Sequence, residues 1–278
     1  VMRRTKPTLS LVYLPHLDYD LQRFGPEFEG VEARVRELDD TAGEVLDAAN
    51  ELGAEVLAFS EYGIQAVTRA VLPNRVLREA GLLEVRDGPF GEGLDTFESR
   101  ALAVCDHQVA HVYVRAAADI DRVRDLLAPL PGVAKVLSGA ERAEIDLDHT
   151  RAGDLVLLAE RDAWFAYPYW LDDAKAPDFA RTVDIHRKPG YDPCELFVDP
   201  ALRLPQLKVA RRLLQKTLGL RYRMDVIPLD PSLVKGSHGV PPADPQDGPL
   251  LVASESAAAP RVKALMNLKA YTLDRLFH

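Results

Sequence analysis

Cysteine is scarce in this chain: Cys105 and Cys194 stand alone among 278 residues. Two thiols cannot build a disulfide framework or a thiolate metal cluster, so the sequence demands no oxidising compartment. Long apolar runs are missing as well. No stretch reaches the roughly 18 apolar residues that a spanning helix needs, and no membrane span is expected. The residues before Pro7 hold no apolar core of a secretory leader. A cytoplasmic location is therefore expected. Positive charge is in deficit: 34 Lys and Arg face 43 Asp and Glu, for a net charge of -9. A polymeric nucleic acid wants a basic face, so that partner class is not expected; a small phosphorylated molecule stays open. Internal repeats, heptad seams and low-complexity tracts are absent too.

What is present looks like a packed domain. Apolar residues make up 47% and charged residues 28%, ordinary for a chain with a substantial core, in one large domain or two small ones. The run Leu9–Leu14 has the length and composition of a buried strand, and Pro15 stops its pairing. His16, Asp18 and Asp20 follow at once. Ligands of open α/β sheets bind just beyond the carboxyl ends of strands. This loop is thus a candidate metal or catalytic loop, or else Asp18 and Asp20 are turn and capping residues of the next helix. Phe28–Leu52 has helical apolar spacing and Gly53 as its stop. A second strand, Ala54–Phe59, ends in Ser60-Glu61-Tyr62-Gly63. The order strand, helix, strand predicts a parallel pair with a right-handed crossover. Late in the chain, Lys235-Gly236-Ser237-His238-Gly239 sets a histidine between two glycines.

Between these landmarks the patterns predict a helix over Val71–Gly81, with Pro73 in its first turn, and a strand over Leu82–Arg86. Ser99–Cys105 and Val109–Arg115 form a hairpin through Asp106-His107-Gln108, a turn without glycine. A helix over Asp119–Leu127 is capped by Asp119 or Asp121. Val133–Leu137 and Leu155–Ala159 are strands, and Ala163–Tyr167 pairs with the latter. Pro205–Leu218 is a helix ending at Gly219, and Tyr222–Ile227 a strand. Pro241–Pro249 is a loop, Leu250–Ala253 a last strand, and Val262–Phe277 a closing amphipathic helix.

At its three polar loops the sequence resembles the nucleotide pyrophosphatase/phosphodiesterase branch of the alkaline phosphatase superfamily. That family has Asp-x-x-x-His followed by an aromatic-Gly-Pro, then Ser-Asp-His-Gly at a later strand end, then a late Gly-x-His-Gly. This chain has Asp18 to Gln22 with Phe24-Gly25-Pro26, then Ser60-Glu61-Tyr62-Gly63, then Gly236-Ser237-His238-Gly239. The resemblance implies an α/β fold whose mainly parallel sheet is flanked by helices, with a smaller α+β inserted subdomain over about 82–223 that caps the substrate pocket. It implies that residues 1–278 are the C-terminal portion of one such domain, with a Thr or Ser nucleophile upstream of Val1. The basic residues before Pro7 read as the last turn of a helix, in keeping with that. The implied reaction is metal-dependent hydrolysis of a phosphodiester or pyrophosphate bond in a small phosphorylated substrate such as a nucleotide.

The resemblance also implies a metal set: Asp18, Glu61 and His238, with Gln22 and Tyr62 as companions. Three of these depart from the family. Glu61 replaces an aspartate and keeps a carboxylate, one methylene longer. Gln22 replaces a histidine and offers only a carbonyl oxygen. Tyr62 replaces another, and a phenol of pKa about 10 ligates a metal only when deprotonated. The family implies zinc, whereas an oxygen-rich set suits magnesium or manganese better. The same departures suit a member that binds a ligand without turnover. Candidate substrate contacts lie elsewhere. His16 shares a face with Asp18 on an extended segment and is either a substitute ligand or a partner of that carboxylate. His107 sits beside Asp106 in the hairpin turn. The densest polar stretch is Asp184–Asp192: either Asp184 and His186 alternate onto one face while Arg187 and Lys188 offer cations to phosphate oxygens, or it is a solvated loop. His111 reads as a satisfied core or turn residue, and His149 and His278 as surface residues. Trp164, Tyr167, Tyr169 and Trp170 either pack the core or stack on a base; packing is favoured.

Overall fold

Small and branched apolar residues at alternate positions build the largest sheet. Ala101, Ala103 and Cys105 point inward from strand Ala101–Asp106, and Ala110, Val112 and Val114 do so from Val109–Val114. A two-residue loop, His107 and Gln108, joins them, and so short a link permits only antiparallel pairing. Leu155–Ala159 adds to the second strand and Val133–Ser138 to its far side, all antiparallel. Leu155–Ala159 lies inside the sheet and is almost wholly buried, which explains its unbroken apolar run.

The computed structural model describes residues 1–254, 262 and 264–277. The chain divides into two units. One comprises Val1–Leu21, Pro26–Ile64 and Pro241–His278; the other comprises Gln22–Gly25 and Gln65–Val240.

The second unit holds the four-stranded sheet. Helix Ile120–Leu127 covers it with Val123 and Leu127, both fully buried, and helix Pro73–Glu79 adds Leu77. Asp119 precedes the former without capping it through its side chain and instead pairs with Arg100. Buried Asn74 stitches the core: its amide oxygen accepts from Ala103 N at 2.8 Å, and its amide nitrogen donates to Ala103 O and Tyr167 O at 2.8 and 3.2 Å. Three small ladders complete the unit. Glu84–Gly88 pairs with Gly91–Asp95 and Gln65–Ala66 with Gly236–Ser237, both antiparallel, while Arg69–Val71 pairs with Ala163–Phe165 in parallel. Trp164, Phe165, Tyr167, Tyr169 and Trp170 are all buried, with edge-on contacts of Trp170 to Tyr167 and Tyr169 at 5.5 and 5.4 Å, so this aromatic run is core.

The first unit is thinly packed. Its long helix, Val31–Glu51, ends where Gly53 takes a left-handed conformation. Leu57–Phe59 pairs antiparallel with Leu251–Ala253. Helix Asn267–Phe277 is held by Tyr271, whose hydroxyl donates to Glu55 Oε1 at 2.9 Å, and by the Arg275–Glu55 ion pair at 2.8 Å. Among the described residues, the buried apolar side chains of this unit are Ala48, Ala49 and Tyr271. Residue 263, in the expected closing helix, and His278 lie outside the described residues.

Several expectations need correction. The chain is α/β in content, with helices and several small sheets, but a mainly parallel sheet is not what the described strands form. Arg69–Val71 with Ala163–Phe165 is the one parallel ladder among them. Leu9–Leu14 is no strand: no ladder claims it, and Leu11 and Tyr13 stay 85% and 73% exposed. The predicted parallel crossover from it to Ala54–Phe59 is therefore absent, and the latter narrows to Leu57–Phe59 with another partner. Ala163–Phe165 does not pair with Leu155–Ala159, because neighbours already occupy both edges of that strand. Tyr222–Ile227 forms no ladder among the described residues. No described helix is long and apolar enough to cross a membrane.

Candidate functional site

In the first unit the expected carboxylates meet tyrosines. Asp18 does not lie in a strand-end loop but in the first turn of helix His16–Phe24. Negative charge there suits the helix N-terminus. Tyr62 donates its hydroxyl to Asp18 Oδ1 at 3.3 Å. Gly63, the next residue, lets this segment lie on the turn at Pro245–Asp247: a Cβ on it would sit 1.8 Å from the Asp247 carbonyl oxygen. Burial pushes the Tyr62 phenol well above the ordinary range, and Asp18, Tyr13 and Glu61 push it further. Tyr13 is raised in the same direction, first by desolvation, then by the charges of Asp18, Tyr19 and Glu61. Asp18 and Glu61 thus act on the same two phenols, although they lie 43 positions apart in sequence. Tyr62 keeps its proton near neutral pH and serves as a donor. His16 opens the same helix as Asp18, and its Nε2 is buried without a hydrogen-bond partner. On this helix His16 and Asp18 are two residues apart and so do not share a face, contrary to the expectation from an extended segment.

The second unit collects imidazoles. His107 occupies the first position of the two-residue hairpin loop and takes a positive φ of 54° there, the conformation that the missing glycine would have supplied. Its ring contacts two others: Tyr191 at 4.6 Å between centroids and His238 at 3.9 Å. His107 Nδ1 is 3.2 Å from the hydroxyl of fully buried Ser237. The backbones meet too, with Gln108 N donating to His238 O at 2.9 Å. Burial lowers His238 to about 4; burial and then the His238 charge lower His107 to about 3. Both imidazoles are therefore neutral at pH 7. Gln22, 1% exposed, accepts from the Tyr191 hydroxyl at 3.2 Å through its side-chain oxygen, and its carbonyl accepts from Lys235 N at 2.9 Å. The oxygen at the family's histidine position is thus already hydrogen-bonded.

The dense polar stretch has a different use from the one expected. It forms turns, not a strand, so Asp184 and His186 do not alternate onto one face. Asp184 pairs with Arg187 at 3.3 Å, and His186 is exposed. The Lys188 ammonium is fully buried, 2.7 Å from Asp192 and 2.6 Å from Glu195. Its charge holds those two carboxylates and is not presented to a phosphate. His111 accepts from Gly153 N at 3.2 Å, a satisfied residue as its pattern predicts.

The donors can be tested against divalent ions. Asp18 and Glu61 are hard oxygen donors, His16 has a buried ring nitrogen without a partner, and His238 is a neutral imidazole; each fits a cation in kind. Gln22 and Tyr62 do not, one engaged with Tyr191 and the other protonated. Within neither unit do three or more described His, Cys, Asp or Glu side chains gather in a group that could hold a metal. Sequence reasoning missed Tyr13 and gave Tyr191 no role; Gly190 immediately before Tyr191 was the available signal.

The sequence model of the Type I phosphodiesterase / nucleotide pyrophosphatase family matches residues 1–192. No curated protein matches the chain. Among solved structures, murine ectonucleotide pyrophosphatase/phosphodiesterase 5 is similar at 14% identity and a TM-score of 0.40, over 58% of this chain and 39% of that one. Phosphonoacetate hydrolase from Sinorhizobium meliloti 1021, in complex with phosphonoformate, is similar at 18% identity and a TM-score of 0.38, over 54% and 36%. The chain spans less than two fifths of the length of these structures. With well over half of its residues matched, the chain belongs to the Type I phosphodiesterase / nucleotide pyrophosphatase family.

Proposed function

We propose that this protein acts in hydrolysis of phosphodiester or pyrophosphate bonds in a small phosphorylated substrate such as a nucleotide. A divalent cation would be held by Asp18 and Glu61, with substrate oxygens completing its shell. The observation that carries this reading is the hydrogen bond from the Tyr62 hydroxyl to Asp18 Oδ1 at 3.3 Å, which joins the segment of Asp18 to the segment where Glu61 immediately precedes Tyr62. Two carboxylates on joined segments concentrate negative charge, and a cation offsets it. Oxygen donors favour magnesium or manganese over the zinc expected from the family. When bound, such an ion supplies positive charge to phosphoryl oxygens. The chain's own part is to orient: the Tyr62 hydroxyl fixes the rotation of the Asp18 carboxylate. On its chemistry alone, the neutral His238 imidazole stays a proposed ligand. The span 82–223 stays a proposed cap.

A second reading, ligand binding without turnover, draws on one observation: the Gln22 oxygen is engaged by Tyr191. Titration with Mn²⁺, followed by the electron-spin resonance of the free ion, separates the two. Stoichiometric binding is expected, weakened by at least ~10-fold in Asp18→Asn, because even partners behind a ligand are worth that much. An absence of saturable Mn²⁺ binding, with a phosphodiester analogue bound equally by wild type and Asp18→Asn, would favour the second reading.

A further inference from the structure

Arginines gather around one recess of the second unit. It is an open recess of about 560 Å³, lined by Arg187, Arg221 and Arg223, with Asp184, Tyr222 and Met224 among the other walls. That volume is in the range of small-molecule sites. Three guanidinium groups around one opening run against the chain's overall charge of -9.

The local chain explains the gathering. Helix Pro205–Thr217 stops at Gly219, which takes a left-handed conformation, and the segment that follows joins no ladder. Arg221 and Arg223 both reach one ring, their guanidinium carbons lying 4.4 and 5.9 Å from the centroid of the Phe90 ring. Arg223 also pairs with Asp178 at 2.6 Å, and Arg187 pairs with Asp184 at 3.3 Å. Arg221 has no carboxylate partner among the described residues. Packing on a ring face holds the guanidinium plane and leaves its edge N–H groups free to donate.

We propose that this recess is a binding site for the phosphate or pyrophosphate group of a small molecule. Forked guanidinium donors match phosphate oxygens pairwise, and a multiply charged anion can recruit Arg187 and Arg223 from their single carboxylates. Tyr222 and Met224 offer an adjoining surface for the organic part. The site shares no residue with the acidic cluster around Asp18.

Calorimetric titration with inorganic pyrophosphate, in EDTA and about 0.15 M salt so that weak surface attraction is screened, tests this. Saturable binding is expected. Arg221→Gln and Arg187→Gln should each weaken it about tenfold, the loss of one charge-assisted hydrogen bond, with unchanged melting temperatures. AMP in place of pyrophosphate reports whether the adjoining wall contributes: tighter binding than inorganic phosphate supports a role for Tyr222 and Met224. Three results overturn the proposal: no saturable binding, equal binding by both variants and wild type, or binding that appears only when divalent metal is restored. The last would place the anion on the metal. Failure of the Mn²⁺ titration leaves this experiment untouched.

Discussion

Lys188→Met should destabilise the second unit by roughly 3–5 kcal/mol, the usual cost of removing one member of a buried ion network. The ammonium is fully buried between Asp192 and Glu195. Without it both carboxylates stay buried and uncompensated. Asp192 already has its acidity weakened by burial, and the lysine opposes that shift. These two carboxylates also order local backbone: Asp192 Oδ1 accepts from Cys194 N at 3.1 Å and Glu195 Oε1 from Asp184 N at 3.0 Å. Urea denaturation read by tryptophan fluorescence is the measurement, since Trp164 and Trp170 are the chain's two tryptophans and both lie buried in this unit. The triple change Lys188→Met, Asp192→Asn, Glu195→Gln should recover much of the loss, because it leaves no buried charge. A single variant within about 1 kcal/mol of wild type would contradict the account.

Gly190→Ala is expected to be of similar size, about 4 kcal/mol. Gly190 has φ near 116°, where an L side chain costs of order 1–3 kcal/mol. The added Cβ would also fall 1.8 Å from the Cys105 carbonyl oxygen, and relieving such an overlap costs typically another 1–3 kcal/mol. Backbone must shift, which opposes the bonds from Cys105 N to Pro189 O and from Tyr191 N to Cys105 O, at 3.2 and 2.9 Å. The consequence reaches the imidazoles. Tyr191 stacks on His107 and donates to Gln22, so its displacement should change the ring resonances of both His107 and His238 in nuclear magnetic resonance spectra. A variant with native stability and unmoved histidine signals would show that Tyr191 is not tied to its place by Gly190.

What the sequence made legible, and what it did not, follows from the range of the interactions. The hairpin around His107 can be read to within two residues at its strand ends, because one buried face forces alternation. The Ala163–Phe165 strand is equally legible, but its partner is not, since strand pattern does not encode which edge is free. Leu9–Leu14 has strand composition and no strand, because composition cannot supply a neighbour. At the site, the segments carrying Asp18, Glu61 and His238 stand out by residue type. Their bonds do not: the Tyr191–Gln22 contact joins residues 169 positions apart, and the Lys188 triad turns an apparent phosphate ligand into an internal counter-ion. Arg223 falls on a segment whose pattern predicts a strand, and Arg221 just before it, which hides their shared recess.

The scant burial in the first unit bears on how freely its sequence can drift. With Ala48, Ala49 and Tyr271 as its buried apolar side chains among the described residues, most surface positions of helix Val31–Glu51 touch little, and substitutions there should be nearly silent in stability. The inward positions of the four-stranded sheet have no such latitude. A library of random variants selected only for retained folding should therefore accumulate its diversity along that long helix and stay close to the parent at Ala103, Val112 and Leu155.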